Sequence, residues 1–402
     1  MSLGSLTEIR EGAARLLIPG LASHGRGPGT RGEGVFYNPA MALSRDVSLC
    51  VYRAALPDGA RVLDGLAASG ARAVRLALSG GLDHAVPPHG ESSREPRLDV
   101  AANDRDGDAA ALVGQNAERN GVKVEVHRRD LSALLWETRW HGIDVDPFGS
   151  PSVFVDAAAR SVLAGGVLAL AATDTTALFG VYPDVCRRRY LATPLRCEIG
   201  HEIALRILAG FAARQAAKHD VALAPVLAHA TDHYYRIYLR ARPGAGRADR
   251  ALAEIGYATL CACGERGLSS AAPAVCDHCG AVPRSAGPLW IGSLFDEHVA
   301  RGARGRGANE RLAKPDATAA LLASIEEEAV APPLYVDIHH AAARAKTDPP
   351  RFDRLLPALR ERGFRAARTH MRQTAIRTDA GERELREVLR EIGRRAAPAR
   401  DA

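Results

Sequence analysis

The sequence predicts an α/β fold, in which a mostly parallel sheet is covered by helices on both faces, followed by a smaller α+β domain. Short apolar runs alternate with helical patterns between residues 61 and 172, as in chains whose parallel strands are joined by crossover helices. The length of 402 residues gives room for two or three domains. A Pro- and Gly-rich segment at 242–247 breaks the pattern, so we expect a first domain at residues 1–242 and a second at 243–402.

The elements of the first domain follow from periodicity. Five apolar runs predict strands at residues 61–65, 98–102, 122–126, 140–146 and 166–172. Helical patterns occupy residues 41–53, 71–79, 109–119, 153–163 and 204–219. Residues 229–240 alternate as one strand, and this pattern suits either an RNA-binding sheet face, because Tyr234, Arg236 and Tyr238 share a side, or a half-exposed edge strand.

Three glycine- or proline-rich stretches are predicted as loops. Residues 23–31 are basic and Gly-rich, residues 84–97 carry Pro, Gly and Ser as an insertion, and residues 302–307 read Gly-Ala-Arg-Gly-Arg-Gly. The first stretch suits either phosphate contact or a plain surface loop, and the third suits either phosphate contact or a disordered segment.

Acidic residues stand at the ends of the predicted strands: Asp64, Asp104, Asp130, Asp146 and Asp174. Ligands of parallel sheets bind outside the carboxyl ends of the strands, and an acid after the second strand suits ribose hydroxyls. The small-residue turn after the first strand lacks a full Gly-x-Gly-x-x-Gly, which disfavours a dinucleotide and fits S-adenosylmethionine, a ligand without a pyrophosphate. Singly, each Asp is more often a cap or turn residue, and five together favour a nucleoside site.

The stretch Asp144-Val-Asp146-Pro147-Phe148-Gly149-Ser150-Pro151 carries the most specific chemistry. An exocyclic amine of a nucleobase is a poor nucleophile, and a carboxylate that accepts its N–H makes it a better one; Asp146 suits this task. Pro147 keeps the preceding residue extended, and Phe148 offers a face on which a base can stack. Ser150 and Pro151 are predicted as the N-cap and first residue of the next helix. The alternative is a plain turn that closes a strand.

Composition excludes several classes of protein. No run of 18 apolar residues predicts a membrane span, and the N-terminus lacks the pattern of a signal peptide, so a cytoplasmic protein is expected. The net charge is +6, and residues 346–402, with 15 Lys/Arg against 9 Asp/Glu, carry all of it. A basic end favours a polyanionic partner, and the alternative is a solvated helical face.

Four of the seven cysteines have the spacing of a structural zinc site. Cys261 and Cys263 are followed, after twelve residues, by Cys276 and Cys279. Without a secretory signal, metal binding is favoured over disulfides. The other three cysteines, Cys50, Cys186 and Cys197, lie in apolar contexts and are predicted to be core residues.

Taken together, the motifs resemble those of the tRNA (guanine(26)-N2)-dimethyltransferases of archaea and eukaryotes. The matching segments run nearly from end to end: residues 35–41, 45–46, 68–72, 103–104, 144–151, 172–175, 194–196, 201–202, 231–234, 287–290 and 368–370. The resemblance implies a class I S-adenosylmethionine-dependent methyltransferase domain of Rossmann-like fold and a family-specific C-terminal domain that binds tRNA. It also implies transfer of one or two methyl groups to N2 of guanine 26, by a protein expected to be a monomer.

Site residues follow from the matching positions. The resemblance implies that the methyl donor is contacted by Arg45, Arg72, Asp104, Asp130 and Leu131. Asp104 would hold the ribose and Asp130 the adenine amine. Asp146 would be the catalytic acceptor, with Phe148 and Phe36 packing the extruded guanine, and the four clustered cysteines would bind Zn²⁺. The chain departs from the family in its shorter Cys261-Ala-Cys263 pair and in the insertion at 84–97.

The mechanism expected is direct transfer, in which a flipped guanine attacks the sulfonium methyl without a covalent enzyme intermediate. One alternative is an amino-methyltransferase for adenine in DNA or for ribosomal guanine. Another is a zinc-containing RNA-binding protein that has lost cofactor binding, which the acids at every strand end disfavour. A dehydrogenase is disfavoured because the phosphate-binding glycines are missing.

Overall fold

The computed structural model describes residues 6–19, 34–79 and 98–396. The predicted loops at 23–31 and 84–97 lie outside these residues. The strands of the first half are β1 (Leu6–Glu11), β2 (Ala14–Pro19), β3 (Arg61–Asp64), β4 (Asp99–Asn103), β5 (Glu125–His127), β6 (Trp140–Val145), β7 (Val162–Ala172), β8 (Val221–Thr231) and β9 (Tyr234–Pro243).

The strands β3 to β9 form one seven-stranded sheet in the order β5-β4-β3-β6-β7-β9-β8. Strands β3 to β7 are parallel, and β9 lies antiparallel between β7 and β8. The strand order changes direction at β3, because β4 and β5 extend to one side and β6 and β7 to the other. The predicted α/β fold is confirmed, and the reversal opens a crevice at the carboxyl ends of β3 and β6.

Helices connect and cover these strands. They are α1 (Ala42–Ala55), preceded by a 3₁₀ turn (Pro39–Met41), and then α2 (Ala71–Leu78), α3 (Gly107–Arg119), α4 (Leu131–Glu137), α5 (Val155–Ser161), α6 (Thr175–Leu178), α7 (Pro183–Tyr190) and α8 (Gly200–Ala217). Each apolar period found in the sequence corresponds to one of them within a few residues, except that residues 162–163 open strand β7 instead of closing a helix.

Two local predictions in this half are wrong. Residues 229–240 form the two strands of a hairpin, because Asp232 adopts a left-handed backbone (φ 47°) that an Asp tolerates in a tight turn. Strand β9 is therefore internal, and Arg236 and Tyr238 on its predicted RNA-binding side are completely buried. Ser150 is not an N-cap: α5 starts at Val155, and the Ser150 hydroxyl donates to Tyr190 Oη (2.8 Å).

The second half contains two small sheets and six helices among the described residues. In chain order these are α9 (Ala245–Ala253), β10 (Ile255–Leu260), β11 (Arg266–Ser269), β12 (Arg284–Trp290), α10 (Glu297–Asn309), α11 (Pro315–Ala329), β13 (Val336–Asp337), α12 (Ile338–Ala345), α13 (Phe352–Glu361), β14 (Ala366–Arg368), β15 (Ala375–Thr378) and α14 (Glu382–Ala396). The sheets have the orders β11-β10-β12 and β13-β15-β14. This region is α+β, as the sequence predicts.

The Gly-rich stretch at 302–307 is a helix and not a loop, because it lies inside α10. Its glycines allow close packing against α1: a Cβ on Gly302 would lie 3.1 Å from Cβ of Ala54, and one on Gly307 would lie 3.6 Å from Sγ of Cys50. Close helix contact offsets the low helix propensity of glycine here.

The hydrophobic core continues across residue 242, and a second cluster surrounds β13, β15, α12, α13 and α14. Buried carboxylates also connect the halves. Asp46 of α1 accepts from the backbone N–H of Lys314 (2.7 Å) at the start of α11, and Glu202 of α8 pairs with Arg377 of β15 (3.0 Å). No helix in the described part of the chain combines the length and apolar character that crossing a bilayer requires.

Candidate active site

A cavity of about 730 Å³ opens at the carboxyl ends of β3, β4 and β6, where the strand order reverses. The cavity is lined by all of the residues that the sequence predicts for the methyl donor, for the acceptor role and for the target base: Phe36, Arg45, Arg72, Asp104, Asp130, Leu131, Asp146 and Phe148. The fold thus brings together residues that are up to 112 positions apart in the sequence, from Phe36 to Phe148.

Four of the five acids at strand ends line this cavity, namely Asp64, Asp104, Asp130 and Asp146. Asp174 is not among the lining residues. Its carboxylate accepts from Tyr190 Oη (2.7 Å) and Arg189 Nη1 (2.9 Å), so it supports the segment that carries Ser150. Four of the acids predicted from the strand ends therefore line the cavity, and the fifth, Asp174, has a structural position.

Asp146 stands at the tip of β6 with 17% of its side chain exposed, and it accepts a hydrogen bond from Nη2 of Arg72. Nη1 of Arg236 lies 3.9 Å from the same carboxylate oxygen. The following turn is fixed to the end of β7, because Gly149 donates to Thr173 Oγ1 (2.7 Å) and Thr173 donates to the Gly149 carbonyl (2.9 Å). Gly149 has a φ of 82°, which disfavours other residues. The carboxylate is thus held in place and still open to the cavity.

Beneath Asp146 lies a buried network that sequence reasoning missed. Asp144, which is fully buried, accepts from Nη2 of Arg236, and its other oxygen lies 3.4 Å from Nε of Arg72. Ser48 joins both guanidiniums, since its Oγ accepts from Arg72 Nη1 (2.6 Å) and from Arg236 Nη2 (3.0 Å). The sequence did contain a sign of this role for Arg236, because an arginine between apolar and aromatic residues of a strand suggests a buried partner.

Asp64, the last residue of β3, is 2% exposed and borders the same network. Burial raises its pKa to about 7, against the lowering effect of Arg72 and with further raising by the charges of Asp144 and Asp146. A carboxyl that keeps its proton near neutral pH is a hydrogen-bond donor as well as an acceptor.

Arg45 is held by Glu11, a residue that the sequence did not reveal. The guanidinium donates through Nε (2.7 Å) and Nη2 (2.6 Å) to the two Glu11 oxygens, and Arg75 (2.7 Å) and Tyr37 (2.6 Å) also donate to Glu11. Burial alone would raise the pKa of Glu11, but Arg45 and Arg75 outweigh it and lower the pKa to about 2. This charged group fixes Arg45 at the cavity wall, where 8% of its side chain is exposed.

Asp104 and Asp130 take different structural positions. Asp104 accepts from the backbone N–H groups of Ala68 (2.9 Å) and Asp106 (2.9 Å), so it also shapes the turn after β3. Asp130 is exposed and caps α4 by accepting from Ala133 N (3.1 Å). Leu131 is buried against Gly65, where any Cβ would come within 3.0 Å of the leucine methyl groups. A side chain at position 65 would therefore push against Leu131, which lines the cavity.

The two phenylalanines form an aromatic pair at the cavity. The ring centroids of Phe36 and Phe148 lie 4.6 Å apart in an edge-to-face arrangement. Phe148 is 52% exposed, so much of its ring stays accessible beside the cavity. The pair offers stacking surface beside Asp146.

The four spaced cysteines converge in the second half. Sγ atoms of Cys261 and Cys279 are 3.4 Å apart, those of Cys263 and Cys276 are 3.8 Å apart, and all four lie within 4.8 Å of one another. A tetrahedral Zn²⁺ with Zn–S bonds of about 2.3 Å places its sulfurs roughly 3.8 Å apart, so the thiols fit that ion. The short Cys261-Ala-Cys263 pair does not prevent the convergence. Cys50 and Cys186 are buried core residues, as predicted, and Cys197 packs at the edge of the core.

Together, the reversed parallel order, the antiparallel β9 and the cavity at the strand ends define the Rossmann-like class I fold of the S-adenosylmethionine-dependent methyltransferases. The family model of N2,N2-dimethylguanosine tRNA methyltransferases matches residues 12–390. The chain therefore belongs to that family.

Individual relatives and a solved structure agree. The tRNA (guanine(26)-N(2))-dimethyltransferase of Methanothermobacter thermautotrophicus is 37% identical over 95% of this chain and 98% of its own. That of Natronomonas pharaonis is 38% identical over 95% of this chain and 100% of its own. The complex of Trm1 from Pyrococcus horikoshii with S-adenosyl-L-methionine superposes with a TM-score of 0.81 at 32% identity, covering 95% of this chain and 99% of that one.

Proposed function

We propose that this enzyme transfers one or two methyl groups from S-adenosylmethionine to the exocyclic N2 of guanine 26 in tRNA. Its membership of the family and the names of its relatives support the substrate and the donor. The observation that carries the mechanism is the position of Asp146, a half-buried carboxylate aimed at the cavity between the donor-binding positions and two aromatic rings.

The donor fits the chemistry of the strand ends. Asp104 would accept from the ribose hydroxyls and Asp130 from the adenine amine, while Leu131 would pack against the adenine. Arg45 and Arg72 would offer cations to the carboxylate of the methionine moiety. When bound, the donor supplies an electrophilic methyl carbon on a sulfonium sulfur.

Asp146 would act on the amine of the flipped guanine. Its carboxylate accepts a hydrogen bond from the N2–H group and so increases electron density on the nitrogen. The nitrogen then forms a C–N bond with the methyl carbon as the C–S bond breaks, and the N2 proton passes to Asp146 and from there to solvent. Phe36 and Phe148 would hold the base plane against this carboxylate, so positioning supplies much of the rate.

The remaining predictions complete the proposal. Residues 1–242 would form the methyltransferase domain, and residues 243–402 would contact tRNA, with Cys261, Cys263, Cys276 and Cys279 around a structural Zn²⁺. A monomeric state and a cytoplasmic location stay predictions from the sequence, and gel filtration and cell fractionation test them.

The test is incubation of the enzyme with unmodified tRNA transcripts and labelled S-adenosylmethionine, followed by nucleoside analysis. N2-methylguanosine or N2,N2-dimethylguanosine at position 26, and its absence when position 26 is adenosine, is the expected result. Label in another base or at another position would refute the assignment.

A further inference from the structure

A second cavity, of about 550 Å³, lies directly against the active-site cavity. The two share Asp232 and Tyr234 as lining residues, so these side chains form the wall between them. The volume falls within the range of about 300–1,000 Å³ that is usual for small-ligand sites. None of the residues assigned above to the donor, the acceptor or the target base lines this second cavity.

Four residues from segments that carry the family resemblance converge here, and none of the four was assigned above to the donor, the acceptor or the target base. Thr175 begins α6, His201 lies in the first turn of α8, Thr231 ends β8, and His370 lies in the β14–β15 connection. These positions span 195 residues of chain, from Thr175 to His370. The cavity is therefore built by the fold of both halves and not by one surface loop.

The lining has the chemistry of single-stranded RNA recognition. The rings of Phe179 and His201 lie 4.9 Å apart, and the His201 imidazole is fixed by Tyr235 through Nδ1 and Oη (3.0 Å). Arg372 and Gln373 of the β14–β15 connection also line the cavity, and Arg372 keeps 37% of its side chain exposed although Asp337 accepts from its Nε. Aromatic faces combined with an arginine bind unstacked bases and their phosphates.

The wall itself carries an unpaired polar group. Tyr234 is 3% exposed, and its hydroxyl has no hydrogen-bond partner among the described residues. Buried hydroxyl groups are normally paired, so an unpaired one in the wall between two cavities requires an explanation. The wall between the cavities is thus polar and incompletely satisfied in the free protein.

We propose that the second cavity binds the nucleobase of the nucleotide next to the target guanine. This inference rests on the proposed function. Flipping the target base removes a stacking partner from its neighbour, which leaves a second exposed base one nucleotide away along the strand. A cavity separated from the active site by a single wall, and lined by aromatic rings, replaces the lost stacking. Binding of this second base then fixes the position of the RNA strand, so that the correct guanine lies beside Asp146.

The experiment compares three tRNA transcripts: an intact one, and two with an abasic nucleotide on the 5′ or the 3′ side of the target guanine. With the wild-type protein, one abasic transcript should lose kcat/KM by about 5- to 140-fold, which is the loss of roughly 1–3 kcal/mol of base–aromatic stacking. Phe179→Leu, which keeps an apolar side chain and removes the stacking face, should show a comparable loss with intact tRNA. It should lose little more with the abasic transcript, as expected when both changes remove one interaction.

Controls separate the possible outcomes. Trp136→Leu removes a ring that is 45% exposed on α4, away from both cavities, and should stay within about twofold of wild type. Calorimetric affinity for S-adenosylmethionine reports an intact fold. If Phe179→Leu fails this check, Arg372→Gln takes its place in the comparison.

Each failure points to a different statement. A wild-type protein that does not methylate intact tRNA refutes the proposed function. A protein that methylates it, but treats both abasic transcripts like the intact one, overturns the second site alone. The second site is also overturned if the fold losses from Phe179→Leu and from the abasic nucleotide multiply when they are combined, because multiplying losses indicate independent interactions.

Discussion

Asp146→Asn is the most direct test of the catalytic proposal, because it removes the negative charge and keeps the shape of the side chain. The amide oxygen still accepts a hydrogen bond, but it cannot take the proton that leaves the guanine amine. Loss of a positioned acid–base group typically lowers a rate by about 10²–10⁴-fold, which is roughly 3–5 kcal/mol in barrier height. We expect a decrease in that range.

The structural cost of the change should be small, as judged from the partners that remain. Arg72 loses its contact with a carboxylate but keeps the Ser48 hydroxyl at 2.6 Å and Asp144 at 3.4 Å. Weakening one partly exposed hydrogen bond of this kind costs about 1–3 kcal/mol of folding free energy at most. Affinity for S-adenosylmethionine should therefore change by less than about tenfold, which corresponds to 1.4 kcal/mol.

The assay is single-turnover methyl transfer with enzyme in excess over labelled tRNA, beside calorimetric titration with the donor. Asp174→Asn is the matched control: it also removes a strand-end carboxylate with two hydrogen bonds, but it lies outside the residues that line the cavity. It should lose stability and keep at least a tenth of the wild-type rate. If Asp146→Asn binds the donor normally and keeps more than a tenth of that rate, the acceptor role is wrong.

Three further predictions concern the base, the fold and the metal. Phe148→Leu should lower kcat/KM for tRNA, measured by steady-state kinetics, by about 5- to 140-fold at unchanged donor affinity, because stacking on the ring is worth roughly 1–3 kcal/mol. Glu11, whose pKa is lowered to about 2 from an ordinary 4.5, stabilises the fold above pH 4.5 and loses this effect as the pH falls toward 2. Glu11→Gln should accordingly lower the free energy of unfolding in urea by up to roughly 3 kcal/mol at pH 6 and by less than half as much at pH 3. Cys276→Ser should reduce bound zinc from about one equivalent to less than a fifth, by metal analysis, because one of four ligands is lost.

Controls for these changes come from similar residues elsewhere. Val282→Ala, at a side chain that is 79% exposed, should leave tRNA kinetics unchanged, and an equal effect there would argue against a specific role of Phe148. A loss for Glu11→Gln that is the same at pH 6 and pH 3 would contradict the charge-based explanation. Cys197→Ser, outside the cluster, should keep the zinc, and full zinc in the Cys276 variant would exclude that thiol as a ligand.

Much of the fold was predictable because strand and helix periods are local properties. The five parallel strands, their helices and the carboxyl-end position of the site follow from apolar spacing and from the geometry of parallel sheets. The hairpin at Asp232 was missed because the alternation of apolar residues continues across its two-residue turn, so the two strands look like one in the sequence. The helix α10 was missed because its glycines are explained only by contact with α1, which no local pattern contains.

The site was predictable where one residue carries one task and not where residues act through one another. Asp146 and Phe148 stand in a recognisable string, and the four cysteines have a metal-like spacing. Glu11, in contrast, is 34 residues from Arg45 and lies on the β1–β2 hairpin, which pairs with no strand of the central sheet. The position of an arginine in the sequence does not indicate which carboxylate it pairs with, so the ion-pair partners could be identified only from the structure.

The network beneath Asp146 shows why those partners matter. Three carboxylates, Asp64, Asp144 and Asp146, lie with two guanidiniums, Arg72 and Arg236, in a region that is almost dry. With all five groups ionised the region would carry a net negative charge, which burial disfavours. Burial raises the pKa of Asp64 to about 7, with Asp144 and Asp146 adding to it against Arg72, so its protonated form leaves two negative charges against two positive ones.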